Sequence, residues 1–317
     1  MRKLFFLLCL MVALGLQAEP HLILNFDINK TLIASDKTEN KSLEDVINEM
    51  LSRKYFACWD STILEPITFD QYVRTVIMPG EEHDKDLKIA RLVYFTHFID
   101  YLNEHDHPLY PTVLNEFNHV IETLQGAHIF PSFFRLIAEL DKKGISYTLF
   151  LRSYGKEVFE VKNEINEQLN QLFQLEGQFR KGQLYVNGEE HLTTPQAIYS
   201  FFNSRQHAAI HDDWPYWMEG EMFAKYGKPF YIDLKDRNTL ALFFDDNIKV
   251  DSFEKNIIAP MNCQTGESIS IPALLKSKQM IFVDTLEAIV NENYFIERVQ
   301  ESLQEHQNRW SETKSTE

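Results

Sequence analysis

Four short polar clusters carry the side chains that could do chemistry in this 317-residue chain. They are Asp27-Ile-Asn29-Lys-Thr31, Arg152-Ser153, Gly227-Lys228-Pro229 and Asp245-Asp246. The carboxylates of the first and last clusters are hard oxygen ligands suited to a divalent cation. A serine hydroxyl can donate a hydrogen bond to an anion, and a lysine can neutralise one. Lys225 lies three residues before Lys228 and is a rival for that part. Taken singly, each cluster is also ordinary turn chemistry, because strand ends favour Asp, Asn and Ser. A calcium loop built from Asp27, Asn29 and Thr31 is excluded. An apolar strand precedes it, Leu32 stands where glycine is needed, and Thr38 replaces the closing Glu.

The elements that must position these residues alternate along the chain. Apolar runs rich in strand formers cover His21–Phe26, Ile145–Leu151, His207–His211, Leu240–Phe244 and Met280–Val283. Between them lie helical patterns over 132–141, 157–174 and 286–310, the first expected to start at a Ser132 cap and stop at Gly144. Phe179–Val186 with Asn187-Gly188 reads as a hairpin signal. Such alternation predicts an α/β, doubly wound, Rossmann-like parallel sheet. Ligands of such sheets sit outside the carboxyl ends of the strands. Asp27, Ser153, Asp245 and Asp246 all fall at predicted carboxyl ends, so the fold brings them to one crevice. Residues 40–125 differ: Leu43, Val46, Ile47 and Met50, then Leu87, Ala90, Val93 and Tyr94, follow helical spacing, and Pro66, Pro79, Pro108 and Pro111 punctuate the stretch. It reads as a mostly helical insert.

In this order, the four clusters resemble the motifs of the haloacid dehalogenase superfamily, whose commonest members are Mg²⁺-dependent phosphatases. The resemblance covers the core, about 22–34 and 130–290, and the place of the insert matches the family's helical cap after the first strand. It implies that Asp27 is the nucleophile that forms an aspartyl-phosphate, and that Ser153 and Lys228 bind the phosphate. It implies Mg²⁺ held by Asp27, the backbone carbonyl of Asn29, and Asp245 or Asp246. The domain reading is then a signal peptide over 1–18, a core of 19–38 and 128–290, a cap insert of 39–127, and a C-terminal helix and tail from 291 to 317. One position departs from the family. Its phosphatases carry a second Asp, a proton donor and base, where this chain has Asn29. An amide cannot transfer that proton, and such catalysis is worth about 10²–10⁴-fold. The expected function is an exported Mg²⁺-dependent phosphohydrolase acting through an aspartyl-phosphate on Asp27, with Asn29 at the second catalytic position, on a small phosphorylated substrate. The alternative is a weak or inactive relative that binds Mg²⁺ and a phosphate compound. A dehalogenase fits less well, because Lys228 and the double Asp245-Asp246 suit a metal and a phosphate.

Composition narrows the setting. The chain is 44% hydrophobic and carries a net charge of −16, which disfavours nucleic acid and anionic lipid as partners. An anionic substrate therefore needs local positive charge at its site. Met1-Arg2-Lys3, the apolar run Leu4–Leu16 and Gln17-Ala18 read as a secretory signal cleaved after Ala18, giving an exported protein without stable membrane insertion. Asn29-Lys-Thr31 and Asn40-Lys-Ser42 are also glycosylation sequons, and a glycan on Asn29 would block the crevice. A periplasmic or secreted bacterial protein avoids that conflict. Cys58 and Cys263 remain after cleavage, too few for a disulfide framework, and are expected as buried free thiols. His211-Asp212-Asp213-Trp214-Pro-Tyr-Trp217 reads as an acidic turn with packing aromatics, in preference to a second metal site. His97, His105 and His107 read as structural histidines.

Overall fold

The structure, a computed structural model, describes residues 19–35, 41–81 and 84–314. Residues 1–18, where a signal peptide is expected, and Asn40 lie outside the described residues. In chain order the strands are β1 (His21–Asp27), β2 (Phe56–Ala57), β3 (Ile67–Thr68), β4 (Tyr147–Ser153), β5 (Leu175–Arg180), β6 (Gln183–Val186) and β7 (Glu190–Leu192). They continue with β8 (Ala208–His211), β9 (Lys228–Ile232), β10 (Thr239–Asp245), β11 (Ile258–Asn262) and β12 (Met280–Phe282). Eight of them form one sheet in the order β12-β10-β1-β4-β8-β5-β6-β7. From β12 to β5 every pairing is parallel, and β6 and β7 add antiparallel strands at one edge. The chain leaves β1 toward β4 on one side and returns to lay β10 on the other, so the order reverses at β1. This is an α/β fold around a mostly parallel, Rossmann-like sheet.

Burial on both faces explains the near-continuous apolar runs of its central strands. Leu22, Leu24 and Phe26 of β1, with Leu240, Leu242 and Phe244 of β10, pack under helices Pro131–Lys143 and Tyr294–Lys314. The alternate residues Ile23, Phe150, Ala241 and Phe243 pack on the opposite face with helix Pro195–Phe202 and the two-stranded parallel sheet of β9 and β11. Phe26 and Phe244 are paired in register and stack at 4.6 Å and 6°, with Phe133 and Phe295 edge-on to Phe26. That aromatic cluster fixes the strand ends just before Asp27 and Asp245.

The segment between β1 and β4 holds helices Leu43–Lys54, Lys85–Thr96, Phe98–Glu104 and Tyr110–Leu124, with β2 and β3 as a two-residue pairing that the proline-rich sequence hid. In Lys85–Thr96 the buried face differs from the expected one: Arg91 and Phe95 face inward and Val93 is exposed, because Arg91 donates to the carbonyls of Met78 and Gly80.

Five local expectations are corrected. Ser132 does not cap its helix, which starts at Pro131; its Oγ lies inside the core and donates to the Ala288 carbonyl. Phe179–Val186 is not one strand but breaks at Lys181-Gly182, both with positive φ, into β5 and β6; the expected turn at Asn187-Gly188 is present and leads into β7. The helix after β4 stops at Gln168, where Asn170 and Gln171 adopt positive φ. The C-terminal helical stretch breaks at Asn291 into Thr285–Val290 and Tyr294–Lys314. Cys263 is buried and Cys58 exposed, so only one of the two free thiols is buried. No described helix is long and apolar enough to cross a membrane.

Candidate active site

Asp27 ends β1 and Asp245 ends the neighbouring β10, at the point where the strand order reverses. One step past the Phe26–Phe244 pair, their carboxylates come together. With that of Asp246 they lie within 4.8 Å of one another. Lys228 opens β9 and reaches into this cluster, its Nζ 2.5 Å from Asp27 Oδ1 and 2.7 Å from Asp245 Oδ2. Lys228, Asp27 and Asp245 are all buried. The lysine arrives there because Gly227 lets two backbones touch. A Cβ at Gly227 would lie 2.3 Å from the Ile257 carbonyl oxygen, the same oxygen that accepts from Lys228 N at 2.7 Å. Lys225, its rival, lies over the Tyr226 ring instead.

The turn after β1 is held as firmly. Leu32 N donates to Ile28 O, and Lys30, at φ 61, donates to Ile33 O. Thr31 Oγ1 accepts from Asp246 N at 3.1 Å, and Thr285 Oγ1 donates to Lys30 O at 2.7 Å. The first cluster is thus tied directly to the last. Asp245 Oδ1 in turn accepts from Asn247 N at 2.8 Å.

Electrostatically the carboxylates of the cluster oppose one another's charge. Burial pushes the Asp27 carboxyl well above its ordinary value; Lys228 pulls it back, and Asp245 and Asp246 push it further up. Burial and then the Asp245 charge push Asp246 up to about 7. Burial alone would lower Lys228, but Asp245 and Asp27 outweigh it and hold the ammonium above its ordinary value. Lys228 alone bonds to Asp27 and Asp245, while Lys30 and Arg53 act on Asp246. A divalent cation beside them would favour their charged forms, and three oxygen donors from two strand ends suit Mg²⁺ or a similar hard ion.

Ser153 ends β4 and Asn29 follows Asp27, but neither touches the carboxylate cluster through a hydrogen bond. Both turn to Glu157. Ser153 Oγ donates to Glu157 Oε1 at 2.6 Å, and Asn29 Nδ2 donates to the same oxygen at 2.9 Å. Asn29 Oδ1 is buried without a hydrogen-bond partner among the described residues. The sequence did not point to Glu157, because it reads as the first acid of a polar helix. The signal was its spacing: it opens helix Glu157–Gln168 four residues after Ser153. Gly155 leaves room for it, since a Cβ there would overlap the Glu157 carboxylate. Tyr154 was missed as well. Its ring lies 5.2 Å from Lys228 Nζ, and its buried hydroxyl, pushed up by burial and by Asp212 and Asp245, has no hydrogen-bond partner among the described residues.

The stretch His211–Trp217 has structural partners. Asp212 forms a bidentate pair with Arg152, Asp213 caps helix Trp214–Glu219, and Trp217 stacks on Tyr154. His107 stacks on Trp59, while His97 and His105 bond to backbone carbonyls of their own helices.

No protein-family model, no curated protein and no solved structure matches this chain.

Proposed function

We propose that this protein is an exported, Mg²⁺-dependent phosphohydrolase of the haloacid dehalogenase type that works through Asp27. The observation that carries the reading is the buried contact of Lys228 with both Asp27 and Asp245, next to Asp246, at the reversal point of the sheet. Lys228 orients the Asp27 carboxylate and offsets the charge of an incoming phosphate. An Asp27 oxygen attacks phosphorus, and the bond from phosphorus to the leaving oxygen breaks with its electron pair going to the leaving group. Water then cleaves the aspartyl-phosphate, releasing orthophosphate and restoring Asp27. Asp27, the Asn29 carbonyl and Asp245 or Asp246 would hold Mg²⁺, which supplies charge neutralisation on the phosphoryl oxygens. The helical segment between β1 and β4 acts as the cap.

Glu157 distinguishes this site. Its carboxylate engages Ser153 and Asn29, so a phosphate that uses the Ser153 hydroxyl must compete with it. Because Asn29 is an amide, a second reading has a specific basis: the site binds a phosphate compound with little turnover. An assay of protein starting at Glu19, with an aryl phosphate and either Mg²⁺ or EDTA, separates the two. Turnover that needs Mg²⁺ and is lost in Asp27→Asn supports the enzyme. No turnover in the wild type, with turnover in Asn29→Asp, supports the binding protein.

A further inference from the structure

Tyr154 brings to the carboxylate cluster a hydroxyl that the fold itself does not use. Four buried side-chain atoms have no hydrogen-bond partner among the described residues. Two of them, Arg298 Nε and Trp310 Nε1, lie on the C-terminal helix Tyr294–Lys314. The other two, Asn29 Oδ1 and the Tyr154 hydroxyl, belong to residues just past the ends of β1 and β4. Protein interiors rarely leave such atoms unpaired, and one left so beside reactive groups points to a catalytic role or a bound group.

Ser153, the neighbouring hydroxyl, is already engaged. Its Oγ donates to Glu157 Oε1 at 2.6 Å and accepts from Gly155 N at 3.1 Å. The Tyr154 ring instead lies beside the Lys228 ammonium, whose Nζ is 5.2 Å from the ring centroid. Burial first, then the charges of Asp212, Asp245 and Asp27, hold the phenol well above its ordinary value against the opposing Arg152. The hydroxyl therefore keeps its proton and can donate it in a hydrogen bond. The pull of Asp245 and Asp27 also shows that it lies within electrostatic reach of the cluster. Its ring is held in place by its neighbours. Trp217 stacks on it at 5.5 Å and 14°, and is itself fixed by a bond from Nε1 to the Asn256 carbonyl at 3.2 Å. Trp214 packs edge-on at 5.3 Å, and His211 Nε2 donates to the Tyr154 carbonyl at 3.0 Å. A donor fixed before the ligand arrives needs no reorganisation when it is used.

Resting on the phosphohydrolase reading above, we propose that Tyr154 is a phosphate-binding residue whose hydroxyl donates to a charged oxygen of the phosphoryl group beside Lys228. The test removes that one oxygen. Tyr154→Phe keeps the ring, its stack on Trp217 and its place beside Lys228. Calorimetry reads the affinity for inorganic phosphate with Mg²⁺, steady-state kinetics reads kcat/KM for an aryl phosphate, and a melting curve reads the fold. Phosphate should bind at least about tenfold more weakly, the worth of one hydrogen bond to a charged acceptor. The value of kcat/KM should fall by a similar factor. Tm should hold or rise, because a buried hydroxyl without a partner has been removed. Unchanged phosphate affinity, or a wild type that binds no phosphate, would overturn the proposal. A lowered Tm would do the same, since it would mean that the hydroxyl already has a partner in the fold. Unchanged phosphate affinity and kcat/KM in Tyr154→Phe, with turnover still lost in Asp27→Asn, would reject Tyr154 and leave the phosphohydrolase reading standing. Weakened phosphate binding in Tyr154→Phe, with no turnover of the aryl phosphate by the wild type, would keep the contact and reject that reading.

Discussion

Arg152 and Lys228 are both cations buried at the same end of the sheet, and they are partnered in opposite ways. Arg152 meets a single carboxylate, Asp212, in a two-pronged pair with neither side chain exposed. Its remaining bonds go to Asn25 Oδ1 and the Pro229 carbonyl, and its guanidinium lies near the rings of Phe179, Phe202 and Phe243. That pair is neutral and complete. Lys228, beside Pro229, is shared between Asp27 and Asp245 with Asp246 at hand, so its single charge does not pair off with a single carboxylate. A complete pair supports the fold; a shared one is the arrangement that the proposed cation and chemistry would use.

The sharpest way to break that contrast is to remove each cation. Lys228→Met should lower turnover by about 10²–10³-fold, the usual loss for a group that stabilises transition-state charge. Arg152→Met should instead destabilise the fold by about 3–5 kcal/mol, because it leaves Asp212 buried and unpaired. The double replacement Arg152→Met with Asp212→Leu should recover most of that stability in a denaturant titration, since apolar substitutes for a complete buried pair are often neutral. Loss of turnover in the double variant with its stability intact would show that Arg152 belongs to the chemistry after all.

Asn29→Asp sharpens the shared side. It places a carboxyl two residues after Asp27, the proposed nucleophile, and should raise steady-state turnover by roughly 10²-fold. In the wild type, hydrolysis of the intermediate should limit the rate. A burst of aryl alcohol equal to the enzyme concentration should therefore precede the steady state in stopped flow. A smaller effect is expected from Glu157→Gln, which weakens the grip on Ser153 and Asn29 without removing it. The affinity for orthophosphate should rise severalfold by calorimetry, because a competing charge has gone.

The amino end of the same strands provides a control by pH. His21 and His207 are held below their ordinary 6.5 chiefly by burial, and each also feels a neighbouring positive charge. The folded state thus binds fewer protons than the unfolded chain. The stability from this pair is present above about pH 6.5 and is lost as pH falls through the depressed values. His207→Gln should flatten the decline of Tm between pH 7 and pH 5 without altering the Mg²⁺ dependence of turnover.

The sequence made the central strands legible because burial on both faces demands unbroken apolar runs, and the abrupt change at Asp27 and Asp245 marked their ends. Lys228 was legible as one of the four ordered clusters but not apart from its rival Lys225, because the close approach of Gly227 to Ile257 that seats it is a tertiary contact. Glu157 did not stand out, since its role depends on how helix Glu157–Gln168 turns toward Ser153.

The most direct test is to catch the covalent intermediate. Protein starting at Glu19, mixed with an aryl phosphate and Mg²⁺ and quenched in acid within the burst, is digested and its peptides are weighed. One added phosphoryl group is expected on the peptide containing Asp27, absent in Asp27→Asn and absent with EDTA. Turnover without that label, or a phosphoryl group on any other residue, would contradict it.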